Sequence, residues 1–221
     1  MNRALLSAVL LPATVALALT GCSAASTGTT SSSNAPSSNA SPSTPTVLPS
    51  GTASGVANQK PVLPENNPPG DIPDNVAFVP YANAAGRYSF THPEGWLEQV
   101  KGSDVLFTDK LNGVQVVPGA ATTPPTVASA KADSVPALTR SQAAFELRNV
   151  SATSVPGGSG VLIVYRRNSA PDGVTGRQYR DEVQRYELVS NGDEVIVELF
   201  GPVGADNVDA YKTMITSLKQ S

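Results

Sequence analysis

Short apolar runs separated by turn residues dominate the chain from about residue 88 onward, and their alternation predicts antiparallel strands. Residues 88–90 alternate before a proline, and residues 97–108 form a predicted hairpin that turns at residues 101–103. The pair Asn112-Gly113 is a strong hairpin turn signal and precedes the next apolar run. This part of the chain is therefore predicted to begin as a meander of short strands.

A second group of predicted strands is longer. Residues 145–155 fit one irregular strand, and the continuous apolar run at 161–165 is typical of a central strand covered on both faces. Residues 178–189 and 195–200 predict two further strands joined by a turn at Asn191-Gly192-Asp193.

Two helices complete the pattern. Residues 125–140 are rich in alanine and predict a helix that Pro136 breaks or kinks. Near the end of the chain, Asp206 is a suitable N-cap and Asp209 approximates a capping box. One apolar face follows at spacings of three and four, formed by Val208, Tyr211, Ile215 and Leu218. The pattern predicts an α+β fold, with an antiparallel β-sheet flanked by helices.

The first residues have the pattern of an export signal. Arg3 is followed by an apolar stretch over residues 4–19 that Pro12 interrupts, and the stretch ends in Leu19-Thr20-Gly21-Cys22. This ending resembles the lipobox of bacterial lipoproteins. The resemblance implies that residues 1–21 are a signal peptide, that Cys22 becomes the mature N-terminus and that its sulfur carries a diacylglycerol. It further implies a protein held at the extracytoplasmic face of the cell membrane.

The alternative is an ordinary secretory signal with a cysteine placed there by chance. Cys22 is the only cysteine in the chain, so a disulfide within the chain is excluded even though export implies an oxidising compartment. Two acyl chains on one residue are enough for stable membrane anchoring. The lipobox resemblance therefore predicts the membrane as a partner, through lipidated Cys22.

A tether is predicted over residues 22–73. Ser and Thr dominate it, no charged residue lies between Arg3 and Lys60, and no aromatic residue precedes Phe78. Such a segment buries too little apolar surface to offset its ordering entropy and is expected to be disordered, with a stiffer proline-rich part at residues 61–73. As a flexible coil it would span roughly 35–42 Å. The folded domain is predicted over residues 74–221.

Charge excludes one class of partner. The chain has a net charge of −3, and positive and negative residues are interspersed without a basic run. Because nucleic acid binding needs a basic surface to neutralise phosphates, no nucleic acid partner is expected. The pair Arg166-Arg167 is interpreted as a strand end that reaches solvent.

The segment Gly86-Arg87-Tyr88-Ser89-Phe90-Thr91-His92-Pro93-Glu94-Gly95-Trp96 resembles the opening of PsbP-like domains. The order of the later elements is similar as well, so the resemblance covers about residues 80–220. It implies an antiparallel sheet sandwiched by helices, and an accessory or assembly role in larger complexes without catalysis. Tyr88, Phe90 and Trp96 are core or binding candidates, and Trp96 is interpreted as a core anchor, with an exposed recognition residue as the alternative. The overall layout is also similar to that of small actinobacterial envelope lipoproteins.

Residues for catalysis are few. His92 is the only histidine, so a histidine-based metal cluster is excluded and no metal or cofactor is predicted. A Ser-His-Asp triad would have to use His92, which is interpreted instead as a surface or turn histidine. The adjacent carboxylates of Asp181-Glu182 and Asp193-Glu194 point to opposite faces of a strand. A glycosidase with two carboxylates from distant loops remains open.

Three hypotheses follow for function. The first is a non-catalytic binding or accessory module that a membrane tether brings to an envelope protein partner. The second is a carrier or sensor of an apolar ligand or lipid, which would need a large apolar pocket beneath residues 125–140. The third is a cell-wall hydrolase.

Overall fold

The computed structural model describes residues 56–221, so the predicted signal peptide, Cys22 and the tether as far as residue 55 lie outside the described residues. The described part holds two antiparallel sheets and three helices of six residues or more. The strands are β1 (Phe78–Asn83), β2 (Tyr88–Pro93), β3 (Leu97–Lys101), β4 (Asp104–Asp109), β5 (Asn112–Ala120), β6 (Glu146–Val155), β7 (Gly158–Asn168), β8 (Arg180–Ser190), β9 (Asp193–Pro202) and β10 (Lys219–Gln220). The helices are α1 (Val127–Ala132), α2 (Ser134–Ser141) and α3 (Val208–Ser217).

The larger sheet has the strand order β3-β4-β5-β9-β8-β7-β6, and the smaller sheet has the order β1-β2-β10. Every pairing is antiparallel. The hairpins predicted to turn at residues 101–103 and 191–193 connect neighbouring strands, and their turns lie at residues 102–103 and 191–192. The meander predicted from the alternation is therefore present.

Each face of the larger sheet is covered by different elements. Val183 of β8 lies opposite Tyr165 of β7 and Phe200 of β9, so these side chains share one face. Ala130 of α1 and Leu138 of α2 pack there, which makes this the α1–α2 face. Side chains of the run 161–165 are buried on this face with them.

The opposite face carries the larger core. Leu188 of β8 lies opposite Val195 of β9, and Val197 lies opposite Val116 of β5. The buried side chains of α3 and of β2 pack onto these residues, which makes this the α3 face. With helices on both faces of an antiparallel sheet, the predicted α+β fold class is confirmed.

The turn predicted at Asn112-Gly113 lies two residues earlier in the structure. Asp109 pairs with Asn112, so Lys110 and Leu111 form the turn, and Lys110 adopts a φ of 51°. Asn112 is instead the first residue of β5 and is buried. Its side-chain nitrogen Nδ2 donates a hydrogen bond to the carbonyl oxygen of Gly70 at 2.6 Å. The local turn preference is overridden because the Asn112 side chain has partners far away in the sequence.

The helix predicted over residues 125–140 is divided at Asp133 rather than at Pro136. Thr126 caps α1, and its Oγ1 accepts a hydrogen bond from the Ser129 amide at 3.1 Å. Pro136 lies in the first turn of α2, where its missing N–H removes no helical hydrogen bond.

The N-cap of the last helix lies one residue later than predicted. Asn207, not Asp206, is the N-cap of α3, and its side chain makes no capping hydrogen bond. Val208 is exposed, whereas Tyr211, Met214 and Ile215 form the buried face. The Asn207 side chain instead accepts a hydrogen bond from the Ile72 amide at 2.8 Å and donates one to Asn112 Oδ1 at 2.9 Å.

Residues 60–72, here called the strap, are bound to the domain although the sequence predicted that the domain starts only at residue 74. Asn168, at the end of β7, donates to the Lys60 carbonyl at 2.9 Å and accepts from the Val62 amide at 3.0 Å. Arg177 forms an ion pair with Glu65. Together with Asn112 and Asn207, Asn168 therefore holds the main chain of the strap with buried side-chain amides.

Candidate functional site

The α1–α2 face contains a cluster of buried charges. Arg185 of β8 lies directly opposite Glu198 of β9, and its Nη1 donates to Glu198 Oε1 at 2.7 Å. Its Nε donates to Glu187 Oε1 at 2.7 Å, and Tyr165 Oη donates to Glu198 Oε1 at 3.1 Å. Ser134 of α2 completes the cluster by donating to Glu187 Oε2 at 2.8 Å. The two glutamates are thus occupied by partners from three different elements.

Arg167 extends this cluster toward the end of the sheet. Its guanidinium lies 4.9 Å from the centroid of the Phe200 ring and 3.7 Å from both Asp181 Oδ2 and Glu198 Oε2. Its Nη1 also donates to Gln142 Oε1 at 3.1 Å. Only 18% of the Arg167 side chain is exposed, so this arginine is directed mainly into the fold and not toward solvent as the sequence suggested.

The adjacent carboxylates Asp181 and Glu182 point to opposite faces, as predicted for one strand. Asp181 joins Arg167 on the α1–α2 face, and Glu182 accepts from Arg166 at 3.1 Å on the other side. Burial raises the pKa of Asp181 to about 6, and the nearby Arg167 only partly opposes this effect. The carboxylates of this strand therefore serve ion pairs within the fold.

Replacing Asp181 by asparagine is expected to change the pH dependence of stability. A carboxyl with a raised folded-state pKa stabilises the fold below its unfolded pKa, and that contribution is lost as the pH rises through about 6. We expect the free energy of unfolding of Asp181→Asn, relative to that of wild type, to be about 1–3 kcal/mol higher at pH 7.5 than at pH 4. Urea unfolding of both proteins at the two pH values measures the difference.

Asp172→Asn is the control for this experiment. Hydrogen bonds from Thr175 and Val174 lower the pKa of Asp172, so its substitution should lose stability at neutral pH relative to acid pH. If the difference in unfolding free energy between Asp181→Asn and wild type does not change with pH, the assignment of a raised pKa to Asp181 is wrong.

A groove of about 450 Å³ lies between α2 and the sheet, beside the charged cluster. Ser134, Arg185, Glu187 and Glu194 line it together with apolar side chains such as Ile196. Burial and the neighbouring Glu187 raise the pKa of Glu194. The groove found beneath the predicted helical segment therefore mixes charged and apolar side chains, whereas lipid carriage requires a large apolar pocket.

His92 is a core residue, so the expectation of a surface or turn histidine is wrong. Its side chain is 8% exposed, and its ring stacks on Phe107 with a centroid separation of 3.7 Å. Nδ1 lies 2.9 Å from the main-chain oxygen of Pro93, and burial lowers the pKa of the ring. The ring is therefore held by an aromatic neighbour and a main-chain carbonyl rather than by a carboxylate.

The three aromatic candidates from the sequence lie together in the core on the α3 face. Tyr88, Phe90 and Trp96 are all buried, with Trp96 9% exposed. Tyr88 Oη donates to the Ser103 carbonyl at 3.0 Å. Trp96 also borders a groove of about 440 Å³ whose other side is the end of the strap around Ile72. These side chains join the small sheet and the strap to the main core.

The β3 edge, residues 97–101, is the exposed apolar feature that sequence reasoning missed. Leu97 and Val100 are 63% and 55% exposed, although both lie in a regular strand. β3 is the outermost strand of the larger sheet, so within residues 56–221 no strand pairs with its outer main-chain groups. Alternation alone could not reveal this exposure because it does not show which strand lies at an edge.

Neither a metal cluster nor a membrane-spanning helix occurs within residues 56–221. In that part of the chain, no group of three or more His, Cys, Asp or Glu residues is arranged to hold a metal ion. No helix of the described part is long and apolar enough to cross a membrane.

Comparisons with known proteins give structural similarities only. No family model matches the chain, and no curated protein matches it in sequence. The chain is similar to the solution structure of cyanobacterial PsbP (CyanoP) from Synechocystis sp. PCC 6803, with 18% identity and a TM-score of 0.45 over 69% of this chain and 98% of that one. It is also similar to the Saccharomyces cerevisiae Ran-binding protein Mog1p, with 7% identity and a TM-score of 0.42 over 66% and 96% of the two chains.

A Pseudomonas aeruginosa protein of unknown function is similar at 12% identity, with a TM-score of 0.39 over 61% of this chain and 91% of that one. A PsbP protein, from the class that residues 86–96 resemble, is thus among the similar structures. All three TM-scores are below 0.5.

Proposed function

We propose that this protein is a non-catalytic binding module, anchored by lipidated Cys22 to the extracytoplasmic face of the cell membrane, that acts as an accessory subunit of an envelope assembly. The observation that carries the binding role is the β3 edge. Leu97 and Val100 place apolar surface beside unpaired main-chain groups, and proteins normally protect such an edge.

The placement of the ionisable side chains supports a non-catalytic role. Glu187 and Glu198 neutralise Arg185, and Asp181 pairs with Arg167. His92 is stacked in the core against Phe107. A general base needs its lone pair within reach of a substrate proton, and these groups are directed into the fold instead.

The lipobox residues support the anchor, and the strap suggests how the anchor is connected to the domain. Asn168 holds residues 60 and 62, so the chain leading back to Cys22 leaves the domain near the end of β7. As the flexible coil that the composition predicts, residues 22–59 would have a root-mean-square length of roughly 31–37 Å.

Cys22→Ser is expected to release the protein from the membrane or leave it with an uncleaved signal. The thioether to diacylglycerol cannot form on serine, and each buried acyl CH₂ is worth ~0.8 kcal/mol. Detergent phase partition of wild type and variant measures the change. Equal partition of the two proteins would contradict the anchor.

The binding role is tested by cross-linking in intact envelopes with wild type and Leu97→Asp. A charge at this exposed position should remove a cross-linked species without unfolding the domain, because Leu97 is not part of the core. Val174→Asp is the matched control, since Val174 is 95% exposed and lies in the loop between β7 and β8. A cross-linking pattern that is the same in all three proteins would contradict a binding role for the β3 edge.

A further inference from the structure

The β3 edge has a defined set of outward hydrogen-bonding groups. Lys101 pairs with Asp104 across a two-residue turn, and such a hairpin closes on a hydrogen-bonded pair. Because hydrogen-bonded and non-hydrogen-bonded pairs alternate, Glu98 and Val100 direct their main-chain N–H and C=O groups away from β4. The edge therefore offers two donors and two acceptors at residues two positions apart.

The other edge of the same sheet is not equivalent. The register of β6 against β7 shifts between Leu147 and Asn149, which is a bulge. Arg148, at the bulge, forms an ion pair with Glu146 at 2.8 Å. A bulge protects an edge from further pairing, whereas β3 is paired to β4 in continuous register. Pairing through β3 would therefore close at two copies rather than continue into a fibre.

We propose that two copies of this chain pair through their β3 strands, antiparallel and about a two-fold axis at Gln99, to form one continuous fourteen-stranded sheet across the dimer. In this register Glu98 of each copy lies opposite Val100 of the other, and the outward groups form four main-chain hydrogen bonds. Gln99 lies opposite Gln99 of the second copy in the central, non-hydrogen-bonded pair.

The side chains fit a second copy because the strand is self-complementary. The charged residues Glu98 and Lys101 fall directly opposite Val100 and Leu97 of the other copy, so like charges meet only diagonally, between the two Glu98 side chains. Leu97, exposed in one copy, gains the apolar stem of Lys101 from the other. In the register centred on Gln99, β3 of one copy is therefore an acceptable partner for β3 of another.

This inference rests on the proposed membrane anchor, because the anchor supplies the high local concentration that the pairing needs. A pairing of two five-residue strands is a small interface, and small interfaces are weak between freely diffusing proteins. Tethers of the same length would hold both domains in one thin layer at the membrane, which raises their effective concentration. The same confinement makes a second copy a partner that is always available.

The test is disulfide formation by Gln99→Cys in the full-length protein in its membranes. Gln99 is exposed, and an antiparallel non-hydrogen-bonded pair brings the two Cα atoms to about 4.5 Å, within the range for a disulfide. Val100→Cys is the in-strand control because its two copies would be more than ~7 Å apart in this register. Val174→Cys reports random collision. Under mild oxidation we expect a disulfide dimer of Gln99→Cys about fivefold or more above both controls.

A second variant separates pairing from folding. Val100→Pro in the Gln99→Cys background removes an outward N–H but no hydrogen bond to β4, so the domain should remain folded while the dimer is lost. A dimer yield equal to that of Val174→Cys, retention of the dimer in the proline variant, or capture of a different protein through the introduced cysteine would each overturn the inference.

The two proposals fail in different ways. Gln99→Cys that stays in the detergent phase but remains monomeric overturns the dimer and leaves the anchor standing. Gln99→Cys that is released from the membrane overturns the anchor, and its disulfide yield in the released fraction then decides the pairing by the same comparison.

Discussion

Gly160→Ala is expected to destabilise the domain by at least about 3 kcal/mol, which is a large part of the stability of a domain of this size. Gly160 lies in β7 opposite Leu188 of β8. A Cβ at this position would overlap the main-chain oxygen of Glu187 and lie 3.1 Å from its carbonyl carbon. Because β8 is paired on both sides, its backbone cannot move away without breaking the ladder to β9.

Urea unfolding of the full-length protein measures this effect. Gly173→Ala is the matched control, since Gly173 lies in the loop between β7 and β8 and a Cβ there meets nothing within 4 Å. The control should remain within about 0.5 kcal/mol of wild type. An equal midpoint for both variants would show that β7 and β8 are not held as closely as described.

Trp96→Ala is expected to cost ~3–5 kcal/mol, because it removes a large buried side chain and leaves a cavity. The ring packs in the core with Ile72 of the strap and is 9% exposed. Its loss should therefore loosen the strap as well as the core. Chemical denaturation gives the size of the change, and faster proteolysis within residues 60–72 would report the strap.

Leu97, the neighbour of Trp96 in the sequence, provides the control for Trp96→Ala. Leu97 is 63% exposed, so Leu97→Ala should change stability by no more than about 0.5 kcal/mol. A small effect for Trp96→Ala would instead favour the alternative of an exposed recognition residue.

The charged cluster on the α1–α2 face explains why a strand rich in polar residues is buried. Arg185 reaches two glutamates, and each carboxylate has a second hydrogen-bond donor from Tyr165 or Ser134. Buried charges are tolerated when they are paired and hydrogen-bonded in this way. The cluster therefore fixes the register of β7, β8 and β9 while occupying the groups that would otherwise suggest catalysis.

Local patterns predicted the strands and helices well where a single periodicity applied. Residues 97–108 form the predicted hairpin, and the run 161–165 lies in β7, covered on both faces. The errors lie where a side chain has a distant partner. Asn112 leaves the turn because it bonds to Gly70 and Asn207, and Arg167 is held by Phe200 and Glu198.

The sequence by itself determined the α+β class, the short list of reactive side chains and the order of the elements except for β1, β10 and the division of the middle helix, because each depends on residues close together in the chain. It also predicts the anchor at Cys22, since a lipobox is a continuous motif. Tertiary structure decided that His92 is a core residue, that the strap is bound to the domain, and that β3 is an open edge. Those properties depend on which strands become neighbours, and contacts between residues up to 135 positions apart settle that order.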